Sequence, residues 1–215
     1  MLCDPKKILC VGLNYKNHAE GTGGEVPKEP VIFSKFLDAL AEDGQEIVLP
    51  PWHRCYDYEA ELVIVMGRAL YHASGEEEAA AAIGGYTCGN DLSARDCQLR
   101  SSQWLIGKTF PGFAPVGPRI VPASEFDPAK PHRISCTVNG VTVQDDDVST
   151  MIFSCTEIVR YISQFTPLSP GDLIFTGTPG GVVLEQPKGH RTWLKPGDEV
   201  AVAIEGIGTL RSKLV

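Results

Sequence analysis

The 215-residue chain is predicted to fold as a β-dominated α+β domain. Three observations predict it. Short runs of β-branched and aromatic residues outnumber the helical segments. No regular alternation of strand and helix marks a doubly wound fold. And 22 glycines with 16 prolines supply the turns that many short elements need. No internal repeat and no linker divides the chain, so residues 1–215 are expected to form one domain.

The elements follow in order. KKILCVG (6–12) has the apolar run of a strand. NYKNHAEGTGGEVPKEP (14–30) is polar and rich in glycine and proline, so a loop with one helical turn at 14–20 is expected. VIFSKF (31–36) and EIVLP (46–50) read as short strands, and 57–66 as a longer one. GEEEAAAAIGG (75–85) is the clearest short helix: acids in its first turn suit the helix dipole, alanines favour its interior and Gly84-Gly85 stop it. GYTCGND (85–91) is a strand that ends on an acid, and LSARDCQLRSSQW (92–104) is helical, then irregular. Strands follow near 117–122 and 133–138, with Asn139-Gly140 marking a hairpin into VTVQ. Ser154-Cys155-Thr156-Glu157 is a capping-box pattern ahead of an amphipathic helix at 158–165. DLIFTG (172–177), DEVAVAIEG (198–206) and the final GTLRSKLV are the last strands. EQPKGHRTW (185–193), between two of them, reads as a polar, mobile insertion.

Composition narrows the function. Hydrophobic residues make up 43% and charged residues 21%, ordinary for a globular protein with a real core. A net charge of −8 and a pI near 5.1 argue against nucleic acid as a partner, which needs a clustered basic surface. No apolar run approaches the length of a bilayer span, so no membrane partner is expected. The opening MLCDPKKILCVG lacks the long apolar stretch and small-residue cleavage site of a secretory signal. The expectation is a cytoplasmic protein, or a mitochondrial one if a transit segment has been trimmed. Seven cysteines, at 3, 10, 55, 88, 97, 136 and 155, are scattered and odd in number without a Cys-x-x-Cys pair. They read as small buried side chains in a reducing compartment.

The chemistry begins at CYDYEAELVIVMG (55–67). As a strand it puts Asp57, Glu59 and Glu61 on one face, followed by Val63 and Val65. From residue 62 both faces are apolar, the pattern of a strand covered on both sides. Burying ionised carboxylates costs several kcal/mol each unless they are paired, and like charges two apart repel. A divalent cation removes both objections. Glu59 and Glu61, roughly 7 Å apart at the backbone, are long enough to converge on one ion. Asp91 has two readings, a third metal ligand or a helix N-cap. An all-carboxylate oxygen site suits Mg²⁺ or Mn²⁺ better than zinc.

Together these segments resemble the fumarylacetoacetate hydrolase family in its short, catalytic-domain-only form. The matching stretches are VGLNYKNHAE, EPVIFSK, DYEAELVIVMGR, GYTCGNDLSARDCQ, QWLIGKTFPGFAPVGP, VNGVTVQDDDVSTMIFS, TPLSPGDLIFTGTPGGV and LKPGDEVAVAIEGIGTL. They occur in family order over nearly the whole chain. The resemblance implies a mixed β-sandwich roll, a single catalytic domain, a homodimer and one Mg²⁺ or Mn²⁺ per subunit. It implies metal ligation by Glu59, Glu61 and Asp91, and a small 2-oxo acid as substrate, chelating the metal through adjacent oxygens. Lys108 matches a lysine that faces the substrate and stabilises a developing enolate. Gln98 and Thr178 match positions that hold its polar end, and Lys35 another family lysine near the substrate. His18 matches a catalytic histidine that activates water. Such relatives commonly carry Glu three residues beyond that histidine. Here the run is His18-Ala19-Glu20-Gly21, so Glu20 or Glu25 takes the role or the pair is broken. The implied activity is hydrolysis of a carbon–carbon bond in an acylpyruvate-like acid through a metal-stabilised enolate. Oxaloacetate decarboxylation, or dienoate isomerisation or tautomerisation, is the alternative on the same site. A non-catalytic metal-binding relative is the second alternative.

Overall fold

The computed structural model describes residues 4–21, 23 and 26–215. Its first strands are β1 (Ile8–Gly12), β2 (Val31–Lys35), β3 (Leu40–Glu42), β4 (Glu46–Ile47), β5 (Tyr56–Asp57), β6 (Ala60–Met66) and β7 (Ile83–Asn90). They are followed by β8 (Ser93–Ala94), β9 (Ala114–Pro122), β10 (Arg133–Val138), β11 (Val141–Asp147), β12 (Leu173–Phe175), β13 (Glu199–Ile204) and β14 (Gly208–Leu214). The helices are α1 (Lys16–Gly21), α2 (Glu76–Ala82), α3 (Arg95–Gln98), α4 (Leu105–Lys108) and α5 (Cys155–Ser163). A seven-stranded mixed sheet has the order β2-β1-β12-β6-β7-β9-β3, and a five-stranded sheet the order β11-β10-β13-β14-β4. β5 and β8 form a small ribbon of their own.

The two-residue period of β6 explains how the layers assemble. Ala60, Leu62, Ile64 and Met66 belong to the large apolar core shared with Ile134, Val202 and Leu210 of the five-stranded sheet. Val63 and Val65 point the other way, into a second core with Ile8, Leu173 and Phe175. β6 is therefore apolar on both sides, as a central strand must be, and Glu61 continues the Val63–Val65 face. Gly89 on neighbouring β7 keeps that second core closed: a Cβ there would stand 2.4 Å from Val63 Cγ2 and 2.6 Å from Phe175 Cε1.

Local chemistry accounts for several boundaries. Ser154 Oγ accepts from Glu157 N while the Glu157 carboxylate accepts from Ser154 N, so the capping box forms as expected and α5 starts at Cys155. Asn139 (φ 51) and Gly140 (φ 79) take the left-handed conformations of the predicted hairpin between β10 and β11. Three expectations are corrected. The 57–66 strand breaks at Tyr58–Glu59 into β5 and β6. Segment 92–104, expected to be helical and then irregular, opens instead with β8 and is helical only over the single-turn α3 before it becomes irregular. Residues 185–193 are not loose throughout: the 3₁₀ turn Val183–Glu185 ends on the first of them and Arg191 is hydrogen-bonded back onto that turn, leaving 187–190 exposed.

Candidate active site

β6 and β7 run antiparallel with Ala60 opposite Asn90, so the start of one lies beside the end of the other. Glu59 N donates to Asn90 Oδ1 at 2.9 Å, and Asp91 N donates to Glu59 O at 2.9 Å. These bonds lock Glu59 and Asp91 side by side, and Glu61 rises on the adjacent position of β6. One carboxylate oxygen from each of Glu59, Glu61 and Asp91 lies within 4.8 Å of the others, and all three residues are buried. Asp91 leads into β8 rather than a helix, so the N-cap alternative falls. Asp57 does not join the cluster. The break before β6 turns it toward Val183 N (2.8 Å), Leu184 N (3.0 Å) and Arg95 Nε (2.9 Å).

Buried cations answer the acids. Lys108 Nζ lies 2.7 Å from Glu59 Oε2 and 2.8 Å from Asp91 Oδ2. Arg95 spans Asp57 and Glu59, its Nη2 2.7 Å from Glu59 Oε1. Burial works to raise the Glu59 pKa, but Lys108 and Arg95 outweigh it and hold the group down at about 2. Burial likewise works to lower the Lys108 pKa, and Asp91 with Glu59 more than reverse it. Glu61 differs. Its Oε2 accepts from Gly177 N at 2.7 Å, but among the described residues it forms no ion pair of its own. Burial, then Asp91 and Glu59, push its pKa well above the ordinary value. Four buried carboxylates thus face three buried cations, counting Lys35. A hard divalent cation at the Glu59–Glu61–Asp91 oxygens fits this donor set and supplies the positive charge that Glu61 lacks.

A cleft of about 450 Å³ opens onto the cluster, lined by Glu59, Glu61, His18, Gln98, Lys108 and Thr178 among others. Gln98 Oε1 accepts from Arg95 Nη1, and Thr178 Oγ1 accepts from Gln144 Nε2, both at 2.9 Å. Lys35 stands back from the cleft wall: its buried ammonium lies 2.5 Å from Asp91 Oδ1 and donates to Leu92 O and Phe113 O, a placement that props the carboxylate.

His18, on α1, has a partner that sequence reasoning missed. Its Nδ1 lies 2.5 Å from Glu185 Oε1, with the two side chains only 7% and 14% exposed. Glu185 Oε2 also accepts from Gly181 N at 2.7 Å, which fixes the carboxylate. Glu20 does not take this role: it is exposed, 3.8 Å from Lys16. Glu25 lies outside the described residues. Gly21 explains the exchange. A Cβ at that position would stand 2.8 Å from Glu185 Cδ, so the missing side chain makes room for a carboxylate arriving from the 3₁₀ turn. Arg95 was also missed, although it stands three residues before Gln98, on one helical face with it.

A second grouping, His53, Asp96 and Cys97, has ligand-type atoms close together. Cys97 Sγ is 3.4 Å from His53 Nδ1 and 3.3 Å from Nε2. The sulfur is nearly equidistant from the two ring nitrogens, and His53 Nδ1 already meets Asp96 Oδ2 at 3.1 Å. Burial and then Asp96 raise the thiol pKa. This is a sulfur–aromatic contact.

Comparison with known proteins settles the ancestry. The profile described as fumarylacetoacetate (FAA) hydrolase C-terminal matches residues 7–215. The chain belongs to the fumarylacetoacetate hydrolase family. Within the family it is 42% identical to the Homo sapiens protein named oxaloacetate tautomerase FAHD2A, mitochondrial, over 98% of this chain and 67% of that one. The structure named 2-hydroxyhepta-2,4-diene-1,7-dioate isomerase from Mycobacterium marinum superposes with a TM-score of 0.86 at 39% identity, covering 99% of this chain and 75% of the other. Fumarylpyruvate hydrolase from Pseudomonas aeruginosa, solved with Mn²⁺ and pyruvate, gives 0.88 at 35% identity, covering 99% and 91%. The curled mixed sheets are those of the family. No described helix is long and apolar enough to cross a membrane.

Proposed function

We propose that the chain is a divalent-metal-dependent enzyme that forms and reprotonates the enolate of a small 2-oxo diacid, with keto–enol tautomerisation of oxaloacetate as its reaction. The observation that carries this is the His18–Glu185 pair opening into the same cleft as Glu59 and Glu61, whose carboxylates cluster with that of Asp91. Similarity to an oxaloacetate tautomerase and a dienedioate isomerase supports it. Mg²⁺ or Mn²⁺ held by Glu59, Glu61 and Asp91 would supply a Lewis acid for the adjacent oxygens of the 2-oxo acid and for the charge of its enolate.

The chain's own residues do the rest. Glu185 accepts the Nδ1 proton of His18, which leaves Nε2 as the basic nitrogen facing the cleft. His18 takes the proton from the carbon beside the 2-oxo group and returns it to the enolate oxygen, so substrate and product are isomers. Lys108 and Arg95, fixed by Glu59, Asp91 and Asp57, set positive charge beside the developing oxyanion. Gln98 and Thr178 hold the polar end of the acid. Trp104 packs edge-on against Phe33 at 5.4 Å and gives the cleft an apolar wall. The assembly in this reading is a homodimer, consistent with exposed Ile32 on edge strand β2 and exposed Phe36 and Phe165.

A second reading, hydrolysis of an acylpyruvate, is favoured by the same pair, because a carboxylate-backed histidine also activates water. The two separate in one experiment. Mn²⁺-loaded protein is given enol-oxaloacetate and, in parallel, acylpyruvates. Metal-dependent ketonisation without release of a second acid supports the tautomerase. Cleavage of the acylpyruvate supports the hydrolase. Turnover of neither, or ketonisation that survives Glu59→Gln and Asp91→Asn, refutes the metal-dependent reading.

A further inference from the structure

We propose that Arg191 is the receptor for the far carboxylate of a diacid substrate. The inference rests on the reading of a 2-oxo acid held head-first at Glu59, Glu61 and Asp91. The cleft is lined by three strong cations, and they are not equivalent. Arg95 and Lys108 lie at the carboxylate cluster and are each neutralised by two acids within 2.9 Å. Arg191 lies in the stretch that follows the 3₁₀ turn. Among the described residues it pairs with no carboxylate. Its Nε donates to Gln186 O at 3.1 Å, its Nη2 to Leu184 O at 2.6 Å, and its guanidinium stands 5.7 Å from the Trp193 ring centre.

Those contacts fix the guanidinium plane without cancelling its charge. A guanidinium carries five N–H donors in a rigid fork, and two are used here. The others remain for a ligand. A half-buried, oriented and unneutralised guanidinium on a cleft wall suits a carboxylate, and a fork-to-carboxylate pair is among the stronger hydrogen-bonded contacts available. The remaining lining outside the carboxylate cluster is mostly apolar (Val11, Leu13, Phe33, Leu99, Trp104, Leu184). Apart from His18, which Glu185 already engages, it offers a second acid group no other cation among the described residues. The expected substrate is therefore a dicarboxylate, chelated at one end and charge-paired at the other.

Arg191 also staples the turn that carries Glu185, so the test has to separate recognition from positioning. Calorimetry with Mn²⁺-loaded protein compares 2-oxoglutarate with 2-oxopentanoate, which share the 2-oxo acid head and length and differ in the far carboxylate. The wild type is expected to prefer the diacid by about ten- to a hundredfold, the range for a charged hydrogen-bonded pair. Arg191→Gln is expected to bring that preference to within about twofold of unity, and Arg191→Lys to leave it intermediate. With oxaloacetate, Arg191→Gln raises KM more than it lowers kcat. Equal weakening of both acids, or a fall in kcat alone, makes Arg191 a staple only and overturns the proposal. Equal wild-type affinity for the two acids overturns it while leaving the 2-oxo acid reading intact. Binding of neither overturns both. If the Gln variant does not melt cooperatively, the Lys variant alone decides: a preference equal to the wild type's overturns the proposal, a reduced one supports it.

Discussion

Exchanging the carboxylate between positions 185 and 21 tests the base directly. The His18 Nδ1–Glu185 Oε1 contact is 2.5 Å and nearly buried, so solvent screens it little. A hydrogen bond to a charged partner is worth about 1.5–3 kcal/mol. If the pair stabilises the imidazolium formed during proton transfer, Glu185→Gln slows turnover by about ten- to a hundredfold, since 1.36 kcal/mol is tenfold in rate. Glutamine keeps the side-chain length and an oxygen for Gly181 N, so the turn stays in place. Gly21→Glu alone crowds Glu185, because its Cβ stands 2.8 Å from Glu185 Cδ. Combined with Glu185→Ala, the new carboxylate occupies the vacated space and recovers about tenfold of the loss in the single Ala variant. The assay is ketonisation of enol-oxaloacetate across pH with Mn²⁺, with thermal melting to confirm folding. Wild-type rate and pH profile in Glu185→Gln, or no gain from Gly21→Glu in the Ala background, refutes the reasoning.

Three further outcomes are expected. Asp57→Asn, which leaves Arg95 with one of its two acids, costs about 3–5 kcal/mol as a broken buried ion pair. That lowers Tm by roughly 6–20 °C in a chain of this size; a loss below about 2 °C by calorimetry counts against Asp57 as an anchor. Glu61→Gln removes the unneutralised carboxylate, so it raises the Tm of chelator-treated protein by about 2–4 °C and abolishes the upward shift on adding Mn²⁺; a retained Mn²⁺ shift removes Glu61 from the ligand set. The folded protein holds the Glu61 proton more tightly than the unfolded chain. Its contribution to metal-free stability is therefore full below the ordinary value of 4.5 and is lost as pH rises through the raised folded value. Mn²⁺ displaces that proton, so affinity climbs with pH over the same window, and a Mn²⁺ titration with no pH dependence there contradicts the assignment.

The carboxylate cluster was legible because it is written in local pattern. β6 declares itself by apolar residues on both faces, and acids at the mouth of such a strand demand a partner. That argument brought Glu59 and Glu61 together, with Asp91 at the end of the neighbouring strand. Asp57 shows its limit. Period-two counting put it on the same face, but the chain bends at Tyr58–Glu59 and sends it to Arg95 instead. Glu185 was illegible for a different reason. It pairs with a residue 167 positions away, from a 3₁₀ turn with no periodicity to detect. The only local trace was an absence, the glycine at 21. Lys35 matched the family pattern by position, yet whether a buried lysine meets substrate or supports a neighbour depends on depth, which sequence does not encode.

The Asp57 anchor reaches Val183 and Leu184 and no further. Up to that point hydrogen bonds tie the segment just before Glu59 to the turn that carries Glu185. Beyond it, residues 187–190 stand in solvent, and a Cβ on Gly189 would meet nothing within 4 Å. Length or composition can drift in that rim without displacing a reactive atom. One ancient reaction centre can in this way be refitted for acids of different reach, and a designer wishing to do the same has a four-residue stretch in which to begin.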